Sequence, residues 1–252
     1  MPTRLQLGTS RLEKLNQRVL NIFLNKTWIH LGEPEQLSEL FYYACDNRRI
    51  RKKILYIMKR LLRYIKPSCK FNNLNTMKDQ IYTQTNFLTF YYKNGGYLPF
   101  KNNSIDYIFS EHFFEHLFLD EAISLFKECH RVLKLNGIIR TCVPDADLRI
   151  YESPEPTGYP NKRMSYCHPD KHKTRWSIYS LKEILRLAGF EPVPLHYCDK
   201  FGNYNKVDPF RIKKVYEGCL DQELIFDFQY ISRINSLIVD GIKKHNSVIV
   251  QR

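Results

Sequence analysis

The chain has 252 residues, of which 43% are hydrophobic and 26% are charged. These fractions are close to globular averages, so they exclude a wholly disordered chain, and the length suits one large α/β domain. The sequence has no uncharged apolar run of about 18 residues, which a membrane-spanning helix needs. The first residues, MPTRLQLGTSRLEKL, lack the apolar segment of a signal peptide, which predicts a cytoplasmic protein.

The net charge of +13 is concentrated in one segment. Residues 48–66 contain nine Lys and Arg residues and no acid, and apolar residues recur among them at helical spacing. This pattern predicts a basic amphipathic helix. Four interpretations stay open: a packed helix with a solvated face, a peripheral contact with a membrane surface, a nucleic-acid patch, and a patch for an acidic substrate. Because the charge excess is confined to one helix, a nucleic-acid partner is disfavoured.

The seven cysteines are scattered along the chain and form no CxxC pair. An odd and scattered set predicts free thiols in place of a disulfide framework or a zinc site. Cys167, His168 and His172 are close in sequence, but no fourth ligand is evident beside them. We therefore predict no metal site.

The first elements alternate between strand and helix. RLQLG predicts a first strand, residues 9–26 predict an amphipathic helix capped by Thr9 or Ser10, and TWIHLG predicts a second strand. The alternation stops at Pro34. Residues 34–87 predict a helical insertion that contains the basic helix.

Alternation resumes at about residue 86. The sequence predicts a strand near 86–92, a turn at 94–96, a strand SIDYIFS, a helix from about Leu119 to Leu135, a turn at Asn136 and Gly137, and a strand IIRTCV. After an irregular stretch at 145–176 come a helix, SLKEILRLAG, closed by Gly189, and two strands, FEPVPLHYC and INSLIVDGIKK. This order predicts one α/β domain over residues 1–252, with a doubly wound, mostly parallel seven-stranded sheet and helices on both faces.

Two stretches, LPFKNNSIDYIFSEHFFEHL and RVLKLNGIIRTCVPD, carry a family resemblance. They resemble the loop into the fourth strand and the fifth-strand turn of class I S-adenosylmethionine-dependent methyltransferases. HKTRWSIYSLKEILRLAGFEP and NSLIVDGIKK are similar to the later helix and last strand of a bacterial subgroup found near surface-polysaccharide genes. The resemblance implies a Rossmann-like fold, S-adenosylmethionine as cofactor, and O-methylation of a sugar or a nucleotide-activated precursor of a surface glycan.

The resemblance also implies where the site lies. Ligands of open α/β sheets lie beyond the carboxyl ends of the strands, where the first and fourth strands meet. Methyl transfer to a hydroxyl needs a base, and His112 and Glu111 are the first candidates, with His172 as a third. The implied cofactor-binding residues are Leu7, Gly8 and Ser10 at the methionyl end, Glu33 at the ribose, Pro99 and Phe100 at the adenine side, and Ser110 at the strand edge.

Some neighbouring residues keep two interpretations. Glu115 and His116 suit either the first turn of the next helix or direct participation in the chemistry. Tyr97, Phe113 and Trp176 suit either the wall of a pocket or the core.

Three positions depart from the family pattern. Ser10 replaces the second glycine of the first loop, Gly32 stands where an acid usually binds the ribose, and no acid lies within residues 91–94. Glu33, one residue beyond Gly32, is the nearest substitute for the ribose acid. These departures keep a second hypothesis open, a non-catalytic methyltransferase-like accessory protein with a degenerate cofactor loop.

Overall fold

The computed structural model of the chain describes residues 3–8, 28–32, 86–90, 92, 94–148, 172–231 and 236–245. It divides into a larger unit of residues 1–8 and 92–252 and a smaller unit of residues 9–91. The predicted helix at 9–26, the basic helix at 48–66 and nearly all of the predicted insertion lie outside the described residues. Within the described ranges, no helix is long and apolar enough to cross a membrane.

The smaller unit contributes two short strands. Strand β2 (Trp28–Gly32) pairs in parallel with strand β3 (Asn86–Thr89), and His30 is the register partner of Phe87. The predicted second and third strands are therefore present, although β3 ends earlier than residue 92.

The larger unit contains a mixed sheet of six strands. They are β1 (Arg4–Leu7), β4 (Ile105–Glu111), β5 (Leu133–Pro144), β6 (Glu191–Cys198), β7 (Tyr204–Lys206) and β8 (Ser236–Ile242). Their order is β1-β4-β5-β8-β6-β7; β1, β4 and β5 pair in parallel, and β8 runs antiparallel between β5 and β6. The Rossmann-like α/β prediction is confirmed, and all seven predicted strands are present. The short edge strand β7 was not predicted.

Helices cover both faces of this six-stranded sheet. They are α1 (Leu119–Val132), α2 (Ile178–Leu187) and α3 (Gln222–Phe226). A Cβ built on Gly241 of β8 would lie 3.1 Å from Leu185 of α2, so this face packs against α2. Its neighbour Asp240 points to the opposite face, because side chains alternate along a strand. There Arg140, which pairs with Asp240, donates from Nη2 to the carbonyl of Ile225 in α3 at 3.1 Å.

The predicted end of α1 and the turn after it need correction. The helix ends at Val132, and β5 begins at Leu133, so the predicted Asn136–Gly137 turn lies inside a strand. The register with β4 shifts there, and Asn136 has a φ of +61° in the left-handed region. The Asn136 N–H donates to the Lys243 carbonyl at 2.7 Å. The turn residues therefore form a bulge held by the end of β8.

The ends of α2 follow from its sequence. Ser177 Oγ accepts a hydrogen bond from the Ser180 N–H at 3.2 Å, which caps the first turn. Gly189 has a φ of +96°, and its N–H donates to the Arg186 carbonyl at 2.9 Å. The predicted glycine closure of this helix is confirmed, and the helix begins two residues before the predicted start at Ser180.

Candidate active site

The carboxyl ends of β1 and β4 meet at one edge of the larger unit. Leu7 is the last residue of β1, Ser110 is the second-to-last residue of β4, and the two are register partners. Both are buried, and Gly8 follows β1 with a φ of +72°. The strand pairing thus brings together three residues that the resemblance implies for cofactor binding. Ser10 and Glu33 lie outside the described residues.

Phe113 occupies the space beside Gly8. A Cβ built on Gly8 would lie 2.6 Å from Phe113 Cδ2 and 3.1 Å from Phe113 Cβ. The half-buried Phe113 side chain can therefore approach the backbone of β1 this closely only because residue 8 is a glycine. Phe113 is half-buried and lies against Gly8 at the end of β1, so it is not a fully buried core residue.

The last two residues of β4 and the residue that follows them differ in accessibility. Ser110 and Glu111 are 0% and 2% exposed, whereas the side chain of His112 is 34% exposed. The Ser110 hydroxyl has no hydrogen-bond partner within the described part of the chain. Of the two candidate bases Glu111 and His112, only His112, which directly follows β4, is accessible.

His112 is held in place by the buried carboxylate of Glu115. Its backbone has a φ of +50°, and its N–H donates to the Cys142 carbonyl at 2.8 Å, which extends the pairing of β4 with β5. The ring Nδ1 lies 3.1 Å from Glu115 Oε1, and the Glu115 side chain is 1% exposed. Histidine tolerates the left-handed region better than most residues.

The charge of Glu115 fixes the role of the Nδ1 of His112. Burial raises the pKa of Glu115, but the hydrogen bond and charge of His112, with the charge of His116, outweigh burial and hold that pKa below its usual value. An ionised carboxylate only accepts hydrogen bonds, so Nδ1 of His112 is the donor in this hydrogen bond. A neutral imidazole that donates from Nδ1 can take up a proton at Nε2.

The third catalytic candidate lies beside the same turn. Glu115 and His116 belong to a separate 3-10 turn (Phe114–His116), and α1 begins only at Leu119. The rings of His116 and His172 are 5.0 Å apart between centroids and nearly perpendicular. The N–H groups of Lys173 and Thr174 donate to the Glu115 carbonyl at 2.7 and 3.1 Å. These bonds join a distant segment of the chain to the residues that follow β4.

The predicted adenine-side loop is anchored by an ion pair on α1. The Leu98 N–H donates to Glu128 Oε2 at 2.8 Å, and Arg131 donates to the carbonyls of Leu98 and Phe100 at 3.0 and 2.9 Å. Glu128 and Arg131 also pair with each other at 2.8 Å. Pro99 is exposed and Phe100 is half-buried at the tip of this loop. Sequence reasoning missed both anchors, although their spacing of three residues on a predicted helix places them on one face.

Two aromatic candidates for a pocket wall have different positions. Tyr97 is 76% exposed, and the Arg131 guanidinium lies 5.8 Å from its ring centroid. Trp176 is 1% exposed and packs edge-on against Phe126 at 6.4 Å between centroids. Trp176 is therefore a core residue.

The aspartate of the VPD turn has a structural role. Asp145 is 0% exposed, and its carboxylate accepts from the N–H groups of Cys198 and Asp147 at 2.7 and 3.0 Å. Burial raises the pKa of Asp145 despite these hydrogen bonds. The side chain joins the end of β5 to the end of β6, which holds the edge of the sheet in shape.

A family model described as a methyltransferase domain matches residues 54–141 of this chain. The match includes the loop 98–100, β4, α1 and most of β5, and it begins after β1 and Gly8. No curated protein matches the chain in sequence.

Several solved structures are similar to the chain at low identity. A SAM-dependent methyltransferase from Aquifex aeolicus is 10% identical with a TM-score of 0.46, covering 96% of this chain and 82% of that one. A SAM-dependent methyltransferase from Archaeoglobus fulgidus is 14% identical with a TM-score of 0.45, and the match covers 96% of this chain and 86% of that one. The Haemonchus contortus phosphoethanolamine N-methyltransferase 2, bound to phosphomonomethylethanolamine and S-adenosylhomocysteine, is 12% identical with a TM-score of 0.47, covering 97% and 50%. The fold assignment rests on the strand order described above.

Proposed function

We propose that this chain is an S-adenosylmethionine-dependent methyltransferase that methylates a hydroxyl group with His112 as the base; the methyltransferase-domain match over residues 54–141 supports the proposal. One observation carries the proposal. His112 stands at the carboxyl end of β4, is 34% exposed, and is oriented by a buried carboxylate 3.1 Å from its Nδ1. A base next to an orienting acid is the arrangement that proton abstraction from a hydroxyl requires.

The described edge residues fit a cofactor at this position. Gly8 offers bare backbone in the left-handed region at the end of β1, and the loop 98–100 is anchored to α1. Leu7, Gly8 and Ser110 would border the methionyl end, and Pro99 and Phe100 the adenine side. The ring of Phe113 must turn away from Gly8 for a ligand to approach the backbone there. When bound, S-adenosylmethionine supplies an electrophilic methyl group on a sulfonium.

The chain's own residues would prepare the acceptor. His112 Nε2 would accept the proton of the acceptor hydroxyl, and the Glu115 carboxylate would stabilise the imidazolium that forms. His172, half-buried near His116, borders the same turn and would contact the acceptor. Glu111 is buried, so its role would be to support the end of β4 and not to contact the acceptor.

A sugar or a nucleotide-activated sugar is the proposed acceptor, as a precursor of a surface glycan. The support is the similarity of HKTRWSIYSLKEILRLAGFEP and NSLIVDGIKK to the polysaccharide-associated subgroup. A sugar hydroxyl is a weak acid, so it needs the general base that His112 would supply. A panel of nucleotide sugars, assayed for S-adenosylhomocysteine release, tests this class against amine acceptors.

The domain organisation is also part of the proposal. Residues 1–252 would form one methyltransferase-like domain, with 34–87 as a basic helical insertion whose segment 48–66 contacts acidic membrane surfaces. The support is the run of nine basic residues without an acid. Cosedimentation with anionic vesicles, lost in high salt, would support it; equal binding to neutral vesicles would count against it.

The first experiment is a thermal-shift titration with S-adenosylhomocysteine. A ligand that binds only the folded chain stabilises it by about 2.7 kcal/mol at 100 times its dissociation constant, so the melting temperature should rise. Absence of a shift at millimolar ligand would favour the non-catalytic accessory protein over the enzyme.

The second experiment replaces the proposed base. His112→Asn keeps a residue that tolerates the left-handed φ and removes the imidazole. We expect an unchanged shift with S-adenosylhomocysteine and a loss of turnover of about 100- to 10,000-fold. The exposed His245→Asn is the matched control. Full turnover in the His112→Asn variant would place the base elsewhere.

A further inference from the structure

Three metal-ligand side chains meet beside the His112–Glu115 pair. One ligand atom from each of Glu115, His116 and His172 lies within 4.8 Å of the other two. The geometry points to a site for a divalent transition-metal ion, with Zn²⁺ as the first candidate, bound by these three side chains. This site goes beyond the proposed methyl transfer and does not rest on it.

Two of the ligand groups hold buried atoms that need a partner. The Glu115 side chain is 1% exposed, and its Oε1 is already bonded to His112 at 3.1 Å. Its Oε2 and the Nδ1 of His116 are buried without a hydrogen-bond partner among the residues that the structure describes. Buried polar atoms in folded proteins are nearly always paired. A cation that Glu115 and His116 bind through these two atoms would satisfy both.

His172 completes the set from another part of the chain. Its ring centroid lies 5.0 Å from that of His116, at an interplanar angle of 83°. The backbone N–H groups of Lys173 and Thr174 bind the Glu115 carbonyl, so the residue next to them is fixed near the turn. The Thr174 hydroxyl adds a bond to the Phe114 carbonyl at 3.1 Å.

The size of the cluster is close to that of a tetrahedral zinc site. Zinc bonds to nitrogen and oxygen are about 2.0–2.2 Å long, which puts tetrahedral ligand atoms about 3.4 Å apart. The observed limit of 4.8 Å would contract by about 1.4 Å on binding. Rotation of the half-buried His172 side chain can supply this movement.

The donor set selects the class of ion. Two imidazole nitrogens and one carboxylate oxygen suit Zn²⁺ and neighbouring transition metals, whereas Mg²⁺ and Ca²⁺ prefer oxygen ligands alone. Three protein ligands leave a fourth position open, as in zinc sites that bind water or substrate. The sequence predicted no metal site because these ligands come from a turn after β4 and from a segment far along the chain.

The test titrates Zn²⁺ alone into the full chain after removal of metals with a chelator. Isothermal titration calorimetry should give one tight site per chain, and the melting temperature should rise with Zn²⁺. Co²⁺ in the same site should give the visible absorption of a tetrahedral complex. His172→Ala should weaken Zn²⁺ by more than about 100-fold, because even second-shell changes cost about 10- to 100-fold.

Two further variants complete the design. Glu115→Gln should also lose the site; if this buried variant fails to fold, His172→Ala, on a half-buried residue, carries the test. The exposed His245→Ala should bind Zn²⁺ like the unmodified chain. The proposal is overturned if the unmodified chain takes up no Zn²⁺, or if His172→Ala binds it equally well.

Discussion

The side chain of Phe113 packs against the bare α-carbon of Gly8, with Phe113 Cδ2 2.6 Å from the position that a Cβ on residue 8 would take. This contact joins the turn after β4 to the end of β1, at the edge where the cofactor is proposed to bind. Phe113 Cβ is also only 3.1 Å from that position, so rotation of the ring alone would not make room for a side chain.

Gly8→Ala should therefore destabilise the protein for two separate reasons. The left-handed φ of +72° costs an alanine about 1–2 kcal/mol, and the clash with Phe113 adds about 1–3 kcal/mol. The double variant with Phe113→Ala should recover the part of the clash that comes from the ring, but not the contact with the Cβ of residue 113 or the backbone cost. Urea denaturation of the single and double variants measures this difference. Equal losses in the two backgrounds would show that the two residues do not interact.

Arg131→Met should loosen the loop that Arg131 anchors. The guanidinium binds two loop carbonyls and Asn102 Oδ1, the latter at 2.8 Å. Losing these charge-assisted bonds should cost about 1.5–3 kcal/mol of stability. Because the loop borders the proposed adenine side, S-adenosylhomocysteine should bind about 10-fold more weakly, as calorimetry would show.

The exposed Lys127→Met on the same helix is the control for this change. It removes one positive charge from α1 without touching the loop. If both variants bind S-adenosylhomocysteine like the unmodified chain, the loop is not part of the cofactor site.

The buried ion pair between β5 and β8 should be essential for stability. Arg140 and Asp240 are both 0% exposed and share two hydrogen bonds of 2.7 Å, and the Tyr216 hydroxyl donates to Asp240 at 2.8 Å. Arg140→Met leaves the Asp240 charge buried, so we expect a loss of about 3–5 kcal/mol in chemical denaturation. Arg140→Met with Asp240→Leu should recover much of it. A single variant as stable as the unmodified chain would contradict this account.

His130 should make stability depend on pH below neutrality. Burial, with the positive charge of Lys243, lowers the pKa of His130 from 6.5 to about 4. Between these values the unfolded chain binds more protons than the folded chain, so the free energy of unfolding falls as pH is lowered from 6.5 towards 4. In His130→Gln this part of the pH dependence should disappear. Denaturation curves at several pH values measure it, and an unchanged slope in the variant would exclude the assignment.

Features set by short stretches of chain could be predicted from the sequence. The β-branched and aromatic residues of β4, Ile105 and Tyr107–Phe109, indicate a strand, and Ser177 and Gly189 mark the ends of α2 by bonds within one turn. The Asn136–Gly137 pair shows the weakness of such signals. The same two residues suit a turn or a bulge, and β8, which holds them, lies far along the chain.

The candidate site depended on contacts that no local pattern contains. The sequence placed His112 at the end of a strand with Glu115 three residues beyond it, but only the folded chain put His172 beside His116. Residue periodicity reports which way a side chain points along its own element. The partners of a side chain depend on which elements pack together, and packing minimises the free energy of the whole chain, so distant residues determine the site.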